Sequence, residues 1–287
     1  MGRTIPRFLI VGGTGLVGGA IRESLSKRGA LVRATTRHRN APEIQNTEWV
    51  QCDVCTKTVP ANLFAGIERA FLMAPAGLVD QFAVLSPLIL AAKRAGVERI
   101  VLMTVQGADV SDEIPFRKAE LELRVAGINY GILRPAWFMQ NFHTFWGDDI
   151  RRKGRLELPA GKGKVVFVNT RDVAAVAEAL LMADSIENCE IEVTSQEVLD
   201  HARAASILSH ATGRTIHYED IEPSHFLRKL ISDGIAADYA ALIAAMFEEI
   251  RAGGPISTTQ HVQRITGHAP RNLFSYGRDY SEQLLRR

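Results

Sequence analysis

The stretch Phe8–Gly19, FLIVGGTGLVGG, constrains this chain more than any other. An apolar run ending at Val11 breaks into glycine and then passes directly into a helical pattern. Gly13-Thr14-Gly15-Leu16-Val17-Gly18 satisfies G-x-G-x-x-G, and Gly12, Gly15 and Gly18 also fit a three-residue spacing. Either register answers the same demand. One glycine permits the tight turn, one lets backbone approach a pyrophosphate, and one lets the helix pack close to the strand. The helix start then offers unpaired N–H groups and partial positive charge to phosphates. Strand before and helix after is the context this motif requires, so the turn predicts dinucleotide binding.

The rest of the composition narrows the class. At 287 residues and 46% apolar content, the chain is long enough for a nucleotide-binding domain plus a smaller partner. Net charge is +2 with both signs dispersed, so no basic footprint for nucleic acid is present. No apolar run approaches the roughly 20 residues of a membrane span. Arg3, Pro6 and Arg7 lead into the first strand without a signal-peptide core, and a cytoplasmic location is expected. Three cysteines make no disulfide framework. Cys52 and Cys55 match C-x-x-C, but further zinc ligands and a thioredoxin-like context are both missing, so no metal is expected.

Short apolar runs alternate with helix-length amphipathic segments, which predicts an α/β, doubly wound parallel sheet. Strands are expected near Phe8–Val11, Leu31–Thr36, Trp49–Cys52, Ala70–Ala74, Arg99–Thr104 and Tyr130–Leu133. Helices are expected at about 16–28, 79–95 and 114–126, followed by Gly29, Gly96 and Gly127 as left-handed stops. Beyond Pro135 the pattern changes, and 136–164 reads as loop with a short helix. Asp172 is the expected N-cap of an Ala-rich helix to about Met182, and Glu190–Thr194 a further strand. From about 196 onward the pattern is helical. The expected division is 1–185 for the nucleotide domain and 186–287 for a smaller, mostly helical substrate lobe, with 136–164 contributing to the pocket.

At the end of the second strand, a carboxylate would select NAD through the ribose hydroxyls, and an arginine would accommodate the 2′-phosphate of NADP. The chain reads Thr35-Thr36-Arg37-His38-Arg39 there, without an acid. Arg37 therefore points to NADP(H), unless the basic turn is merely solvated. Asp53, after the third strand, is either a partner for the adenine amino group or a plain loop carboxylate. Ala74 and Pro75 end the fourth strand with small residues that would let the loop pass close to the cofactor.

A short-chain ketone reductase needs a proton donor, ordinarily a tyrosine with a lysine four residues on. None of the tyrosines at 130, 218, 239, 276 and 280 has that lysine. Thr104 stands at the end of the fifth strand, where its hydroxyl either bonds a substrate oxygen or simply closes the strand. Lys118 on the next helix either faces the site or is solvated. Hydride transfer to a cationic or strongly electron-poor acceptor needs no such acid, only orientation and a dry pocket. The run Trp137–Trp146, with Trp137, Phe138, Asn141 and Phe142, is either a wall for a flat aromatic substrate or a staple between lobes.

Taken together, these residues resemble the NmrA-like atypical short-chain dehydrogenase/reductases. The likeness runs through VGGTGLVG, the arginine after the second strand, AAKRAGVERIVLMTVQGA, AGINYGILRPAWFMQNF, VNTRDVAAVA, SHATGRTIHY and TGHAPRNLFSYGRDY. It implies a Rossmann fold and NADP(H) contacts at Gly12, Thr14, Gly15, Leu16, Val17, Arg37, Asp53, Ala74 and Pro75. It also implies that Thr104, Trp137 and Phe138 flank the nicotinamide. The chain departs from several relatives at Phe116, which aligns with a lysine or histidine; a slip of two would put Lys118 there. The expected activity is NADPH-dependent reduction of a quinone, cationic dye or imine-like molecule, with the small-molecule substrate and a second copy of the chain, in a homo-oligomer, as the partners to look for. A non-catalytic NADP(H) sensor that binds a protein partner is the alternative. A carbonyl reductase using Thr104 with water, or Lys118, is a third reading.

Overall fold

The computed structural model describes residues 7–38 and 41–286. In chain order the first elements are β1 (Phe8–Ile10), α1 (Leu16–Lys27), β2 (Val32–Thr36), β3 (Thr47–Gln51), β4 (Arg69–Met73) and α2 (Phe82–Ala95). Then follow β5 (Arg99–Met103), α3 (Pro115–Arg124), β6 (Asn129–Pro135), β7 (Trp137–Phe138), α4 (Gly147–Lys153), β8 (Arg155–Leu158) and β9 (Lys164–Val168). Next come α5 (Thr170–Met182), β10 (Cys189–Val193), β11 (Val198–Asp200), α6 (His201–Thr212) and β12 (His217–Asp220). The chain ends through α7 (Pro223–Ser232), α8 (Ala237–Arg251), α9 (His261–Thr266), α10 (Leu273–Asp279) and α11 (Ser281–Leu285). Among the described residues no helix is long and apolar enough to cross a membrane.

Two compact units form: Met1–Pro135 with Arg171–Val193, and Ala136–Thr170 with Thr194–Arg287. In the first, seven strands lie in the order β10-β6-β5-β4-β1-β2-β3, and every neighbouring pair is parallel. This is the Rossmann arrangement, with the expected Glu190–Thr194 strand realised as β10. The central strands β1, β4 and β5 are apolar apart from Arg69 and Arg99, which open β4 and β5, because crossover helices cover both faces. Phe8, Leu9 and Ile10 are all sealed from solvent, as are Phe71, Leu72 and Ile100 to Leu102. Each such side chain contributes on the order of 1.5–3 kcal/mol by its burial. Gly29, Gly96 and Gly127 all take positive φ where their helices stop. Because the strands are parallel, the residues following β1, β2, β4, β5 and β6 gather at one edge, where open α/β sheets bind ligands.

The second unit holds a three-stranded sheet, β11-β9-β7, and the pair β12-β8. Its core gathers Phe142, Trp146, Phe167, Phe247 and Tyr276 with aliphatic residues of α6 and α8. Three sequence expectations are corrected here. Residues 136–164 are not loop with one short helix: β7, a 3-10 turn (Met139–Phe142), α4 and β8 all lie within them. The region after 196 contains β11 and β12 as well as helices; β12 reads His-Tyr-Glu-Asp and is held by parallel pairing with β8, not by apolar alternation. Finally, α5 begins at Thr170, so Asp172 lies in its first turn rather than at the cap. An acid there still opposes the positive end of the helix dipole.

Candidate functional site

Thr35 ties the glycine turn to β2. Its hydroxyl accepts the N–H of Gly12 at 2.8 Å and its carbonyl accepts that of Gly13 at 3.1 Å. Gly12 then takes φ +76°, a region that costs any residue with a Cβ. The Gly15 N–H closes the turn onto the Gly12 carbonyl at 2.9 Å. Gly18 meets the turn most tightly: a Cβ there would stand 2.3 Å from the Gly12 oxygen. Gly12 and Gly18 therefore meet as turn and packing contact, with Gly15 closing the turn between them. Gly13 serves separately, since a Cβ on it would lie 2.6 Å from that of Ala34.

The first helical bond of α1 runs from Gly19 N to Gly15 O, and no side chain caps the helix. The N–H groups of Leu16, Val17 and Gly18 precede that bond. No acid occupies the first turn, and Thr14, Gly15 and Leu16 are exposed while Val17 is buried. Such a helix start fits the pyrophosphate of a dinucleotide: amide donors ahead of the first helical bond, the positive end of the dipole, and no capping side chain.

Other expected contacts stand along the same sheet edge. Arg37 is exposed directly after β2. Asp53 follows β3, and its Oδ1 caps a short 3-10 turn by accepting the Cys55 N–H at 3.0 Å. Ala74 and Pro75 follow β4, whose last residue, Met73, lies against Gly12. Cys52 is buried and Cys55 exposed; burial, and then Asp53, raise both thiols above their ordinary range.

Thr104 is only 4% exposed, and its hydroxyl donates to Glu120 Oε1 at 2.8 Å. Glu120 is the centre of a charged cluster unseen in the sequence. Arg134 reaches it through Nε (2.9 Å) and Nη2 (2.6 Å), and Arg117 through Nη1 (3.0 Å). Arg134 also bonds Asp109 at 2.8 Å and Glu190 at 2.7 Å, and Arg124 bonds Glu190. Burial works against the charge on Arg134, but the hydrogen bonds it donates to Glu120 and Glu190 push its pKa above the usual guanidinium value. Burial likewise opposes the Glu190 carboxylate, and Arg124 and Arg134 outweigh it, holding its pKa low. Lys118 lies away from this cluster, half-exposed and paired with Glu113 at 2.7 Å. Phe116 packs against the core of the first unit.

In the second unit, the aromatic segment divides. Trp137, Phe138 and Asn141 are half-buried. Phe142 is fully buried, its ring within 5.0–6.4 Å, centroid to centroid, of Phe167, Trp146 and Tyr276. Its ring is thus a core element of the unit. Trp137 stacks on Trp146 at 6.3 Å and tilts against Phe247 at 5.4 Å. His143 Nδ1 shares a hydrogen with the Tyr276 hydroxyl at 2.8 Å, and the ring stacks on Tyr280.

A parallel seven-stranded sheet with an open glycine turn at its carboxyl edge defines a dinucleotide-binding α/β protein. The chain belongs to the NmrA-like family, whose profile matches residues 6–278. It is 31% identical over 270 residues to the uncharacterized oxidoreductase YesF of Bacillus subtilis, covering 94% of this chain and 93% of that one. It is 28% identical over 284 residues to an NAD(P)H azoreductase of Xenophilus azovorans, covering 96% and 98%. Its fold superposes on an NADPH-dependent quinone oxidoreductase of Escherichia coli, solved with NADPH, at a TM-score of 0.79 and 22% identity, covering 94% and 98%.

Proposed function

We propose that this protein is an NADPH-dependent reductase of a flat, electron-poor small molecule of the quinone, cationic dye or imine type. The observation that carries the reading is the open glycine turn beside Arg37, in a chain without a tyrosine–lysine acid pair. Gly12, Thr14, Gly15, Leu16 and Val17 would hold the pyrophosphate, Arg37 the 2′-phosphate, and Asp53, Ala74 and Pro75 the flanks. When bound, the reduced nicotinamide supplies a hydride; the protein's share is to orient the acceptor and exclude water.

The placement of the polar candidates supports this choice of acceptor. The Thr104 proton is directed to Glu120, and Lys118 is engaged with Glu113 in solvent. Neither is assigned as an acid. Thr104 is assigned instead to fix the end of β5, its oxygen still able to accept a bond. Trp137, Phe138 and Asn141 are assigned to the substrate, whereas Phe142 acts through the packing beneath them. The names of the relatives, an oxidoreductase and an azoreductase, agree with reduction as the activity.

NADPH oxidation should be followed optically against a panel of quinones, triarylmethane dyes and cyclic imines. Turnover of one class is expected. Tight NADPH binding with no turnover of any class would overturn the reading and favour a cofactor-sensing regulator.

A further inference from the structure

Resting on the NADP(H) reading above, we propose that Arg22 is a second specificity-determining cation for the 2′-phosphate, carried on Trp49. Arg22 is the seventh residue of α1. Helical side chains lean toward the helix start, so a long one reaches back over the preceding turns. Arg22 does so: its Nε donates to the Gly13 carbonyl at 3.2 Å. Its Cζ lies 5.3 Å from the centre of the Trp49 ring, within cation–π range.

These contacts place the guanidinium at one corner of the sheet. Trp49 pairs with Ala34 across β2 and β3, and Gly13 sits against both residues. Two residues on, and therefore on the same face, Thr36 pairs with Gln51 at the carboxyl ends of the two strands. Arg37 follows at once, and Gln51 Nε2 donates to its carbonyl at 3.4 Å. Arg22 thus stands at the corner between the glycine turn and the end of β2, where Arg37 leaves the strand exposed. That corner is where Rossmann proteins distinguish a ribose 2′-phosphate from a 2′-hydroxyl.

A purely structural role would leave a different pattern. A helix-stabilising arginine pairs with an acid three or four residues away. Arg22 has Gly18, Gly19, Leu25 and Ser26 at those positions. Among the described residues no carboxylate pairs with it, and no acceptor takes the hydrogens of Nη1 and Nη2. One edge of the planar fork is thus pinned by backbone and ring, and the other keeps the donors that match phosphate oxygens.

Calorimetric titration with adenosine 2′,5′-bisphosphate and with 5′-AMP tests this. In Arg22→Gln the bisphosphate is expected to lose about tenfold to a hundredfold in affinity, the weight of a hydrogen bond to a charged group. Binding of 5′-AMP is expected to stay within about twofold, the size of a surface substitution. Arg22→Lys keeps charge and stem, so it tests the fork in a protein that retains its packing. It should weaken the bisphosphate selectively and by less. Unchanged bisphosphate affinity in either folded variant, or equal loss for both nucleotides, overturns the proposal while leaving NADP(H) binding intact. If the unmodified protein binds the two nucleotides equally, the NADP(H) reading itself falls.

Discussion

Glu120 and Arg134 face each other through two hydrogen bonds, Nε to Oε1 at 2.9 Å and Nη2 to Oε2 at 2.6 Å, with both side chains nearly sealed from solvent. The pair joins α3 to β6, and Glu120 receives the Thr104 hydroxyl as well. Removing Glu120 leaves Arg134 its bonds to Asp109 and Glu190, but takes the buried acceptor from the Arg134 Nε and the Thr104 hydroxyl and leaves the cluster with excess positive charge. Glu120→Ala is therefore expected to cost about 3–5 kcal/mol of stability. Urea denaturation monitored by circular dichroism measures it; a loss below about 1 kcal/mol, the weight of an exposed pair, would refute burial as the source of the effect.

Gly18→Ala probes the glycine turn. Its added methyl would stand 2.3 Å from the Gly12 oxygen, so backbone must move. The expected outcome is a destabilised protein with NADPH affinity down at least about tenfold, since helix and turn can no longer keep their distance. Gly19→Ala is the control, because its nearest neighbour would lie at 3.5 Å. Equal effects from the two substitutions would contradict the packing role of Gly18.

His201 makes stability depend on pH. Burial among the rings of Trp146, Phe167 and Phe247 pushes its pKa down to about 4 from an ordinary 6.5. The unfolded chain takes up a proton first as pH falls, so unfolding is favoured progressively between 6.5 and 4. The loss should reach on the order of 3 kcal/mol near the lower end. His201→Phe should lose less stability than the parent between neutral pH and pH of about 5, by denaturant midpoints. Identical pH slopes in the two proteins would exclude His201 as the source.

Arg37→Glu replaces a cation with an acid at the end of β2. Repulsion should lower kcat/KM for NADPH by about tenfold or more, while NADH is affected less or gains. The ratio of the two coenzymes' kcat/KM values is the readout. An unchanged ratio would dissociate Arg37 from the 2′-phosphate.

Lys118→Ala removes one partner of an exposed pair with Glu113. Stability should change by less than about 0.5 kcal/mol, and steady-state turnover by less than about twofold. A large fall in kcat would reinstate the lysine as a proton donor.

Much of this was legible from residue order. The turn at Gly12–Gly18, the six first strands and the helices between them follow from apolar periodicity and glycine placement, both local properties. Boundaries moved by up to three residues, as for α5, because the helix starts before the Ala-rich stretch that announces it. β11 and β12 were hidden: three- and four-residue strands carry too little pattern and exist through pairing with β9 and β8. The Glu120 cluster was hidden for a related reason. Its members lie at 104, 109, 117, 120, 124, 134 and 190; three share α3, the others stand on different segments, and only the folded sheet assembles them.

The sequence by itself determined a Rossmann-type chain with a phosphate turn, an arginine after β2 and no tyrosine–lysine acid. Those are statements about residue type and spacing, which backbone conformation reads directly. The tertiary structure decided which glycines work as a set, because only packing shows that Gly18 abuts Gly12. It also decided that the Thr104 proton goes to Glu120, that Phe142 belongs to a core, and that Arg22 reaches Gly13 and Trp49. Side-chain partners belong to the fold as a whole, since a hydrogen bond or ring contact depends on distance in space and not on separation along the chain.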